Sequence, residues 1–426
     1  MIKILKCGLS SPGEILERSF PVTEVGETVA QIIRNVRERG DAALREYSER
    51  FDGVAIDDFL VSDEELEEAL EEVSDGFKAV LEKAAANIRR FHSCQIREGY
   101  RIENPDGTVH GVKITPIEKV GHYVPGGTAP YPSTVLMDAI PAKIAGCAEI
   151  IMVTPPRKDG KVDPAILAAA HTAGVDRIYK VGGAQAIAAL AYGTESIPKV
   201  YKIVGPGNAY VAAAKKQVYG EVSIDAEAGP SEVLIVSDGR SEPAVLAADL
   251  LAQAEHDVMS SAVLITDSEE LAEKVQQEIE RQLSLLEREK IARASIENNG
   301  KIIIAGSLDE ALDIANEIAP EHLGLCVDDP FGYLDRVKNA GSIFLGRDAP
   351  EPLGDYFAGP NHTLPTGGTA KYGSPLSVDD FIKKSQFTYY TRDALNAVAD
   401  DIALFARQEG LTGHARSVLS RKKAVE

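Results

Sequence analysis

The chain has 426 residues, 44% of them hydrophobic and 26% charged, a composition typical of a globular protein with more than one domain. Acidic residues outnumber basic ones by 66 to 45, and the formal net charge of −21 argues against nucleic acid or an anionic membrane as a partner. The sequence has no apolar run of the ~20 residues that span a bilayer, no signal-peptide core and no CxxC pair. We therefore expect a cytoplasmic protein with neither a disulfide framework nor a thiolate zinc site.

The first quarter of the chain is charged and has a helical pattern. Apolar residues recur at helical spacing over Glu27–Phe51 and Ser62–His92. Ser62 and Glu65 have the spacing of a capping box, in which each side chain accepts a hydrogen bond from the other residue's backbone N–H. We expect these helices to pack on a sheet.

From about Thr115 onward, β-rich runs alternate with helical stretches. The first series predicts strands at Glu149–Thr154, Arg177–Val181 and Val200–Val204, and helices at Pro164–Ala173, Ala184–Tyr192 and Asn208–Tyr219. The second series predicts strands at Glu232–Ser237, Ala262–Thr266, Lys301–Ala305, Leu323–Val327 and Ser342–Leu345, with helices between them. Strands separated by helices of this length indicate parallel βαβ units, so the sequence predicts two α/β sheets joined near Ile224–Glu232.

The last eighty residues differ in texture from both series. The stretch Asp348–Pro375 is rich in Gly, Pro, Asp and Thr, and long polar loops of this kind are usually functional. Beyond it, the pattern predicts helices at Ser377–Lys384 and Arg392–Gln408 around a short strand at Phe387–Tyr390, and a last helix near Gly413. This tail is too small for a core of its own, so we expect it to pack on another domain or another subunit.

Several histidines stand in polar surroundings. Gln253 and His256 are three residues apart at the end of the helical run Pro243–His256, so they share a face and can direct two neutral donors at one ion. Asp355 and His414 would add an oxygen and a nitrogen ligand, and mixed imidazole and carboxylate ligation suits Zn²⁺ and related metals. The spacing alone is equally compatible with histidines at solvated helix ends.

Glu321 and His322 follow a helical run and precede a predicted strand. A carboxylate beside an imidazole gives two potential proton acceptors at the edge of a sheet, where ligands commonly bind. An exposed polar turn is the alternative interpretation of the same pair.

Glycine turns follow three predicted strands of the first series. Gly205-Pro206-Gly207-Asn208 opens a helix but lacks the third glycine of GxGxxG, and it is therefore a weak dinucleotide fingerprint. The stretch from Tyr123 to Thr134 and the turn Gly182-Gly183-Ala184-Gln185 have the same context. Three such turns at one end of a parallel sheet predict a ligand crevice, although each could also be a tight structural loop.

Seven motifs in order carry a more specific signal: Tyr123–Pro132, Gly205–Tyr210, Asp225–Glu232, Ala252–Met259, Ile318–Leu323, Gly354–Thr366 and Glu409–Val418. In this order and spacing they resemble the histidinol dehydrogenase family over essentially the whole chain. The resemblance implies an NAD-dependent four-electron oxidation of L-histidinol through L-histidinal to L-histidine, the final step of histidine biosynthesis. It also implies two NAD⁺ and one Zn²⁺ per site in a homodimer.

The same resemblance implies roles for individual residues. The zinc ligands would be Gln253, His256, Asp355 and His414, and proton transfer would fall to Glu321 and His322. The substrate would be surrounded by Ser231, Gln253, His256, His322, Asp355, Glu409 and His414, with His362 close by. The NAD site would be lined by Tyr123, Gln185 and Asn208.

The fold class implied is α/β, with two incomplete Rossmann-like parallel-sheet domains. A short N-terminal arm (1–21) would precede a discontinuous substrate and zinc domain (22–119 plus 232–375), an NAD-binding domain (120–231) and a small C-terminal α/β extension (376–426). That extension would reach the partner subunit in a domain-swapped homodimer. Two alternatives from other classes are a zinc-dependent hydrolase, which has no use for nucleotide turns, and a non-catalytic two-domain small-molecule binding protein.

Overall fold

The structure is a computed structural model that describes residues 1–16, 25–126, 130–227 and 229–422. Part of the predicted arm (17–21), the tip of the glycine stretch (127–129) and Ala228 of the predicted joint lie outside the described residues. The chain divides into two units, the first formed by residues 1–95 and 117–381 and the second by 96–116 and 382–426. No described helix combines the length and the apolar composition that crossing a membrane requires.

The described strands, in chain order, are β1 (Lys3–Lys6), β2 (Tyr100–Glu103), β3 (Val109–Pro116), β4 (Lys119–Tyr123), β5 (Glu149–Thr154), β6 (Arg177–Lys180), β7 (Lys202–Val204), β8 (Ser223–Ile224), β9 (Glu232–Ser237), β10 (Ser261–Thr266), β11 (Lys301–Ile304), β12 (His322–Cys326), β13 (Ser342–Leu345) and β14 (Ile382–Tyr389). The described α-helices are α1 (Pro12–Leu16), α2 (Gly26–Arg39), α3 (Asp41–Tyr47), α4 (Asp63–Glu72), α5 (Asp75–Ser93), α6 (Pro132–Ala145), α7 (Pro164–Ala173), α8 (Gly183–Tyr192), α9 (Ala209–Val218), α10 (Pro243–Ala254), α11 (Glu269–Leu283), α12 (Glu289–Asn298), α13 (Leu308–Ile318), α14 (Pro330–Leu334), α15 (Glu351–Tyr356), α16 (Arg392–Gln408) and α17 (Thr412–Leu419).

The first predicted series forms a five-stranded parallel sheet in the order β6-β5-β4-β7-β8. Its central strands β4, β5 and β7 are buried on both faces. Ile150 and Met152 of β5 lie in a core cluster with α5, α6 and α7, whereas Ile151 and Val153 lie in another with α2, α8 and α9. Burial on both faces explains why these strands read as continuous apolar runs rather than alternating ones.

The second predicted series forms a six-stranded parallel sheet in the order β1-β11-β10-β9-β12-β13. Val233 and Ile235 of β9 pack against α10, α11 and α12, and Leu234 and Val236 pack on the opposite side with α13. In the register of this sheet His322 pairs with Val233 on one neighbour and with Ser342 on the other. The two predicted parallel sheets are therefore confirmed.

The N-terminal helical regions are shorter pieces than predicted. Gly40, with φ +53°, separates α2 from α3, and a π-helical turn follows over Ser48–Asp52. Helices α2 and α5 pack on the five-stranded sheet, whereas the predicted domain limits grouped residues 22–119 with 232–375. Those domain limits stay a prediction.

The predicted capping box at the start of α4 is confirmed only in half. Ser62 Oγ accepts the N–H of Glu65 at 3.1 Å. The Glu65 carboxylate instead accepts the N–H of Val162 at 3.0 Å and pairs with Lys180 Nζ at 3.0 Å. The predicted hydrogen bond from the Ser62 N–H to Glu65 is therefore wrong, because the Glu65 carboxylate pairs with Lys180 instead.

The second unit combines a three-stranded antiparallel sheet, in the order β14-β3-β2, with helices α16 and α17. The helix predicted over Ser377–Lys384 is wrong beyond Phe381. A short 3-10 helix spans Val378–Phe381, and the following residues enter β14, which pairs with Val109–Pro116. Long-range pairing with β3, a strand that the sequence did not reveal, overrides the local preference.

Candidate active site

A sharp turn brings two predicted catalytic residues to the amino end of β12. Helix α13 ends at Ile318, and the fully buried Ala319 has φ +51°, the one positive φ among the described residues other than glycine. Pro320 then stops the helix from continuing. Glu321 and His322 consequently enter the sheet beside Glu232, the first residue of β9.

Both polar backbone groups of Glu232 orient these side chains. The Glu232 N–H donates to Glu321 Oε2 at 2.8 Å, and the Glu232 carbonyl oxygen lies 3.0 Å from His322 Nδ1. Since a carbonyl only accepts, a proton is assigned to Nδ1, and Nε2 is the acceptor whenever the imidazole is neutral. His322 Nε2 is buried, has no hydrogen bond among the described residues and lies 3.7 Å from Asp355 Oδ1.

Three further groups lie around this pair and form a potential metal site. The possible ligand atoms of His256, Glu351 and Asp355 all lie within 4.8 Å of one another. Gln253 is fully buried at the end of α10. Its amide nitrogen can donate to Glu351 while its oxygen, 2.9 Å from the Glu232 nitrogen, shares that N–H with Glu321. The structure therefore brings together Gln253, His256 and Asp355 of the predicted ligand set.

Glu351 belongs to this group, although the sequence analysis missed it. It precedes Asp355 by four residues on α15, so the two carboxylates share a helix face. That spacing was the available signal, but Pro350-Glu351 at the start of a polar loop gave no reason to expect burial. Glu351 is only 5% exposed.

Burial and close carboxylates shift the proton affinities of the site. Burial raises the pKa of Glu351 to about 8, and the charges of Asp355 and Glu321 act in the same direction. Burial opposes the charged form of His322, but the carboxylates of Glu321, Glu351 and Asp355 raise its pKa well above the ordinary value. For Asp355, His322 and the other imidazoles outweigh burial and lower the pKa.

This donor set fits a divalent metal. The imidazole of His256 and the carboxylates of Glu351 and Asp355 are ligand types that Zn²⁺ accepts. The ligand atoms of the Glu351 and Asp355 carboxylates lie within 4.8 Å of each other, where two negative charges repel. A dication would relieve that repulsion.

His362 and its neighbour fasten the long polar loop to α6. The His362 Nδ1 lies 3.1 Å from the Asp355 carbonyl oxygen, its Nε2 lies 3.3 Å from Thr134 Oγ1, and burial lowers its pKa. One turn further along α6, Asp138 Oδ1 accepts the Thr363 hydroxyl at 2.8 Å.

Ser231 is half-buried and directly precedes β9. It therefore lies at the same end of the six-stranded sheet as Glu321 and His322.

The three predicted NAD residues lie at or just after the carboxyl ends of β4, β6 and β7. Tyr123 is 4% exposed, its hydroxyl accepts the Gly183 N–H at 3.1 Å, and burial raises its pKa to about 12. Gln185 is also buried, and a Cβ on Gly183 would lie 2.7 Å from Gln185 Oε1. Asn208 caps α9, since its Oδ1 accepts the N–H groups of two residues in the first turn. The glycine turns therefore lie at one end of one sheet, as predicted.

Glu409 and His414 belong to the second unit, where both are exposed. Glu409 ends α16 and His414 lies in the first turn of α17. Their roles stay predictions.

A comparison with known proteins identifies the family. The family model for histidinol dehydrogenase matches residues 17–422. The chain belongs to the histidinol dehydrogenase family. It is 57% identical to a histidinol dehydrogenase of Bacillus cereus and 54% identical to one of Clostridium acetobutylicum, with 94% of the chain covered in both cases and 94% and 93% of the relatives.

Solved structures agree with the family assignment. The crystal structure of histidinol dehydrogenase from Elizabethkingia anophelis superposes with a TM-score of 0.93 at 38% identity, covering 99% of this chain and 98% of that one. An acetylating aldehyde dehydrogenase from Geobacillus thermoglucosidasius, at 15% identity and a TM-score of 0.50, shares the fold alone; it covers 87% of this chain and 99% of that one. Family membership makes the protein an oxidoreductase and does not favour the hydrolase or the non-catalytic binding protein.

Proposed function

We propose that the protein oxidises L-histidinol through L-histidinal to L-histidine, using two NAD⁺ and one Zn²⁺ per site. The observation that carries the proposal is the buried Glu321–His322 pair beside the group formed by Gln253, His256, Glu351 and Asp355. Proton acceptors and metal donors thus occur together at one end of a sheet. Membership of the histidinol dehydrogenase family indicates histidinol as the substrate of this chemistry.

His322 is the proposed proton acceptor for the alcohol. Its Nδ1 is engaged by the Glu232 carbonyl, which leaves the lone pair of Nε2 directed away from the strand. The neutral imidazole is the form that accepts the alcohol proton, and the carboxylates that raise the pKa of His322 stabilise the imidazolium that results. When bound, Zn²⁺ would supply a fixed Lewis-acidic anchor for the substrate's imidazole and amine, and NAD⁺ would accept the hydride.

Glu321 is the proposed activator of water in the second oxidation. An aldehyde must be hydrated before a second hydride can leave its carbon, so this half of the reaction needs a base that the first half does not. One oxygen of the Glu321 carboxylate accepts the Glu232 N–H, and this bond fixes the orientation of the group. The other oxygen can then take a proton from water.

The shared active site of the homodimer is also a proposal. It would draw Glu409 and His414 from the small second unit, whose described helices bury only a few alanines between them and expose Phe405 and Leu404. Two inactive proteins, His322→Ala and His414→Ala, are mixed and allowed to exchange subunits. Recovered activity in verified mixed dimers supports sharing, and no recovery contradicts it.

The experiment that tests the function is a spectrophotometric assay. We expect purified protein with L-histidinol and NAD⁺ to form two equivalents of reduced cofactor per histidinol, without accumulation of free histidinal. A metal chelator should abolish the signal. Absence of NAD⁺ reduction would return the hydrolase or the binding protein to consideration, and a stop at one equivalent would contradict the four-electron reaction.

A further inference from the structure

A buried ion pair grips the glycine turn after β7. Gly205 has φ +110°, and a Cβ on it would lie 2.1 Å from the Tyr123 carbonyl oxygen, so only glycine fits. The Gly205 N–H donates to Asp225 Oδ2 at 2.8 Å, and its carbonyl oxygen accepts from Lys215 Nζ at 2.9 Å. Lys215 also pairs directly with Asp225. Both polar groups of one backbone residue are therefore held by two opposite charges.

Stability alone is a poor explanation for this pair. The side chains of Lys215 and Asp225 are 2% and 7% exposed. Desolvating two charges offsets most of their attraction, and apolar residues of similar volume often serve the fold as well or better. The reaction proposed above does not use these charges either, so the pair calls for a role connected with the turn itself.

The turn leads directly to a cofactor residue. Lys215 lies on α9, the helix that Asn208 caps with its Oδ1. Within the described part of the chain, the Asn208 amide nitrogen and the N–H of Gly207 have no acceptor, and Pro206 offers no N–H. These unused donors beside a helix start are suited to a polar or anionic ligand.

We propose that Lys215 and Asp225 are positioning residues of the cofactor site. They hold Gly205 in its left-handed conformation and thereby fix the donors of Gly207 and Asn208 for NAD⁺. This inference rests on the proposed NAD⁺ dependence. Because the substrate groups lie at the amino ends of the other sheet, the pair should govern the affinity for NAD⁺ and leave that for histidinol unchanged.

Two variants test the pair. Asp225→Asn keeps an oxygen near the Gly205 N–H but removes the partner charge of Lys215. The double variant Lys215→Met/Asp225→Asn removes both charges and leaves no lone buried ion. In each, we expect the dissociation constant of NAD⁺, measured by calorimetry, and its KM to rise at least ~10-fold. The histidinol KM and the zinc content should stay within about two-fold of the unmodified protein, and the thermal shift caused by NAD⁺ should shrink.

A matched control separates positioning from folding. Asp380 pairs with Lys202 Nζ at 3.0 Å, and the Lys202 side chain is 7% exposed at the opposite end of the same strand, β7. Asp380→Asn therefore breaks a buried lysine pair of the same sheet without touching the turn. We expect it to lower Tm and to leave the affinity for NAD⁺ unchanged.

The outcomes distinguish this inference from the proposed function. Unchanged NAD⁺ affinity in both pair variants, equal losses for NAD⁺ and histidinol, or the same NAD⁺ loss in Asp380→Asn would overturn the positioning role. A double variant that does not fold would show a structural pair and would overturn it too. If the unmodified protein binds NAD⁺ but does not oxidise histidinol, the proposed function fails, while the calorimetry still decides the role of the pair.

Discussion

The two parallel sheets of the first unit place their polar groups at opposite ends. In the five-stranded sheet, Tyr123, the Gly183 turn and Asn208 follow the carboxyl ends of strands, where open α/β sheets usually bind ligands. In the six-stranded sheet, Glu232 and His322 are the first residues of β9 and β12. The second sheet therefore departs from the rule that the first one follows.

The carboxyl ends of the six-stranded sheet are closed instead. Arg347, beyond β13, pairs with Asp328 at 2.8 Å and with Asp238, and both carboxylates lie just after strands. Ser237, the last residue of β9, hydrogen-bonds to Ser241 at 2.8 Å. Paired charges and hydrogen-bonded hydroxyls therefore occupy the carboxyl ends of this sheet, where the five-stranded sheet has its proposed nucleotide site. The comparison teaches that the end of the strand at which a polar residue lies separates the proposed substrate site from the proposed cofactor site.

Loss of the metal should separate the proposed substrate site from the proposed cofactor site most completely. We expect His256→Asn to lose stoichiometric zinc and all activity, because it removes an imidazole from the site at the amino ends. The exposed His171→Asn is the matched control and should keep both. Zinc is measured per chain, and the thermal shift with NAD⁺ should persist in both variants. Full zinc retention with activity intact in His256→Asn would remove His256 from the ligand set.

The next largest effect should separate the neighbours Glu321 and His322. Glu321→Gln keeps the size of the side chain but loses its basicity, so histidinal oxidation should slow by ~10²–10⁴ and histidinol oxidation far less. His322→Asn should slow both. Single-turnover kinetics with each substrate supplied separately measures the difference. Equal losses for both substrates in Glu321→Gln would contradict the division of roles.

The last expected effect is on stability rather than on activity, and it concerns Asp138 on α6. Burial raises its pKa to about 8, one oxygen bonds Thr363, and the other has no partner among the described residues. As pH rises, the unfolded chain loses the Asp138 proton near 3.8, whereas the folded protein keeps this proton up to about pH 8. The stabilising contribution of Asp138 is therefore complete at pH below 3.8 and is lost as pH rises through about 8.

Asp138→Asn should remove this dependence. Relative to the variant, the unmodified protein should lose up to ~1.4 kcal/mol of unfolding free energy for each pH unit between the two pKa values. Urea unfolding at several pH values measures the difference, with the exposed Asp401→Asn as control. Parallel curves for Asp138→Asn and the unmodified protein would mean that Asp138 is ionised in the fold.

The sequence alone was sufficient for the two sheets but not for the geometry at their ends. The apolar runs of β5 and β9 are long and flanked by helices, so their class is decided locally. In contrast, β3 and β14 exist because they pair across more than two hundred residues, which no local pattern reports. Glu351 was missed for a related reason, since its burial follows from tertiary packing around Gln253.

Ala319 has a consequence for how this protein tolerates mutation. A buried, left-handed residue before proline admits few side chains: β-branched ones collide with their own backbone, and Asn or Asp would bring a polar group into a dry interior. In a saturation library selected for growth without histidine, position 319 should therefore be as depleted of variants as a catalytic position. Its intolerance would reflect the turn that delivers Glu321 and His322, although Ala319 itself has no group that could act on a substrate.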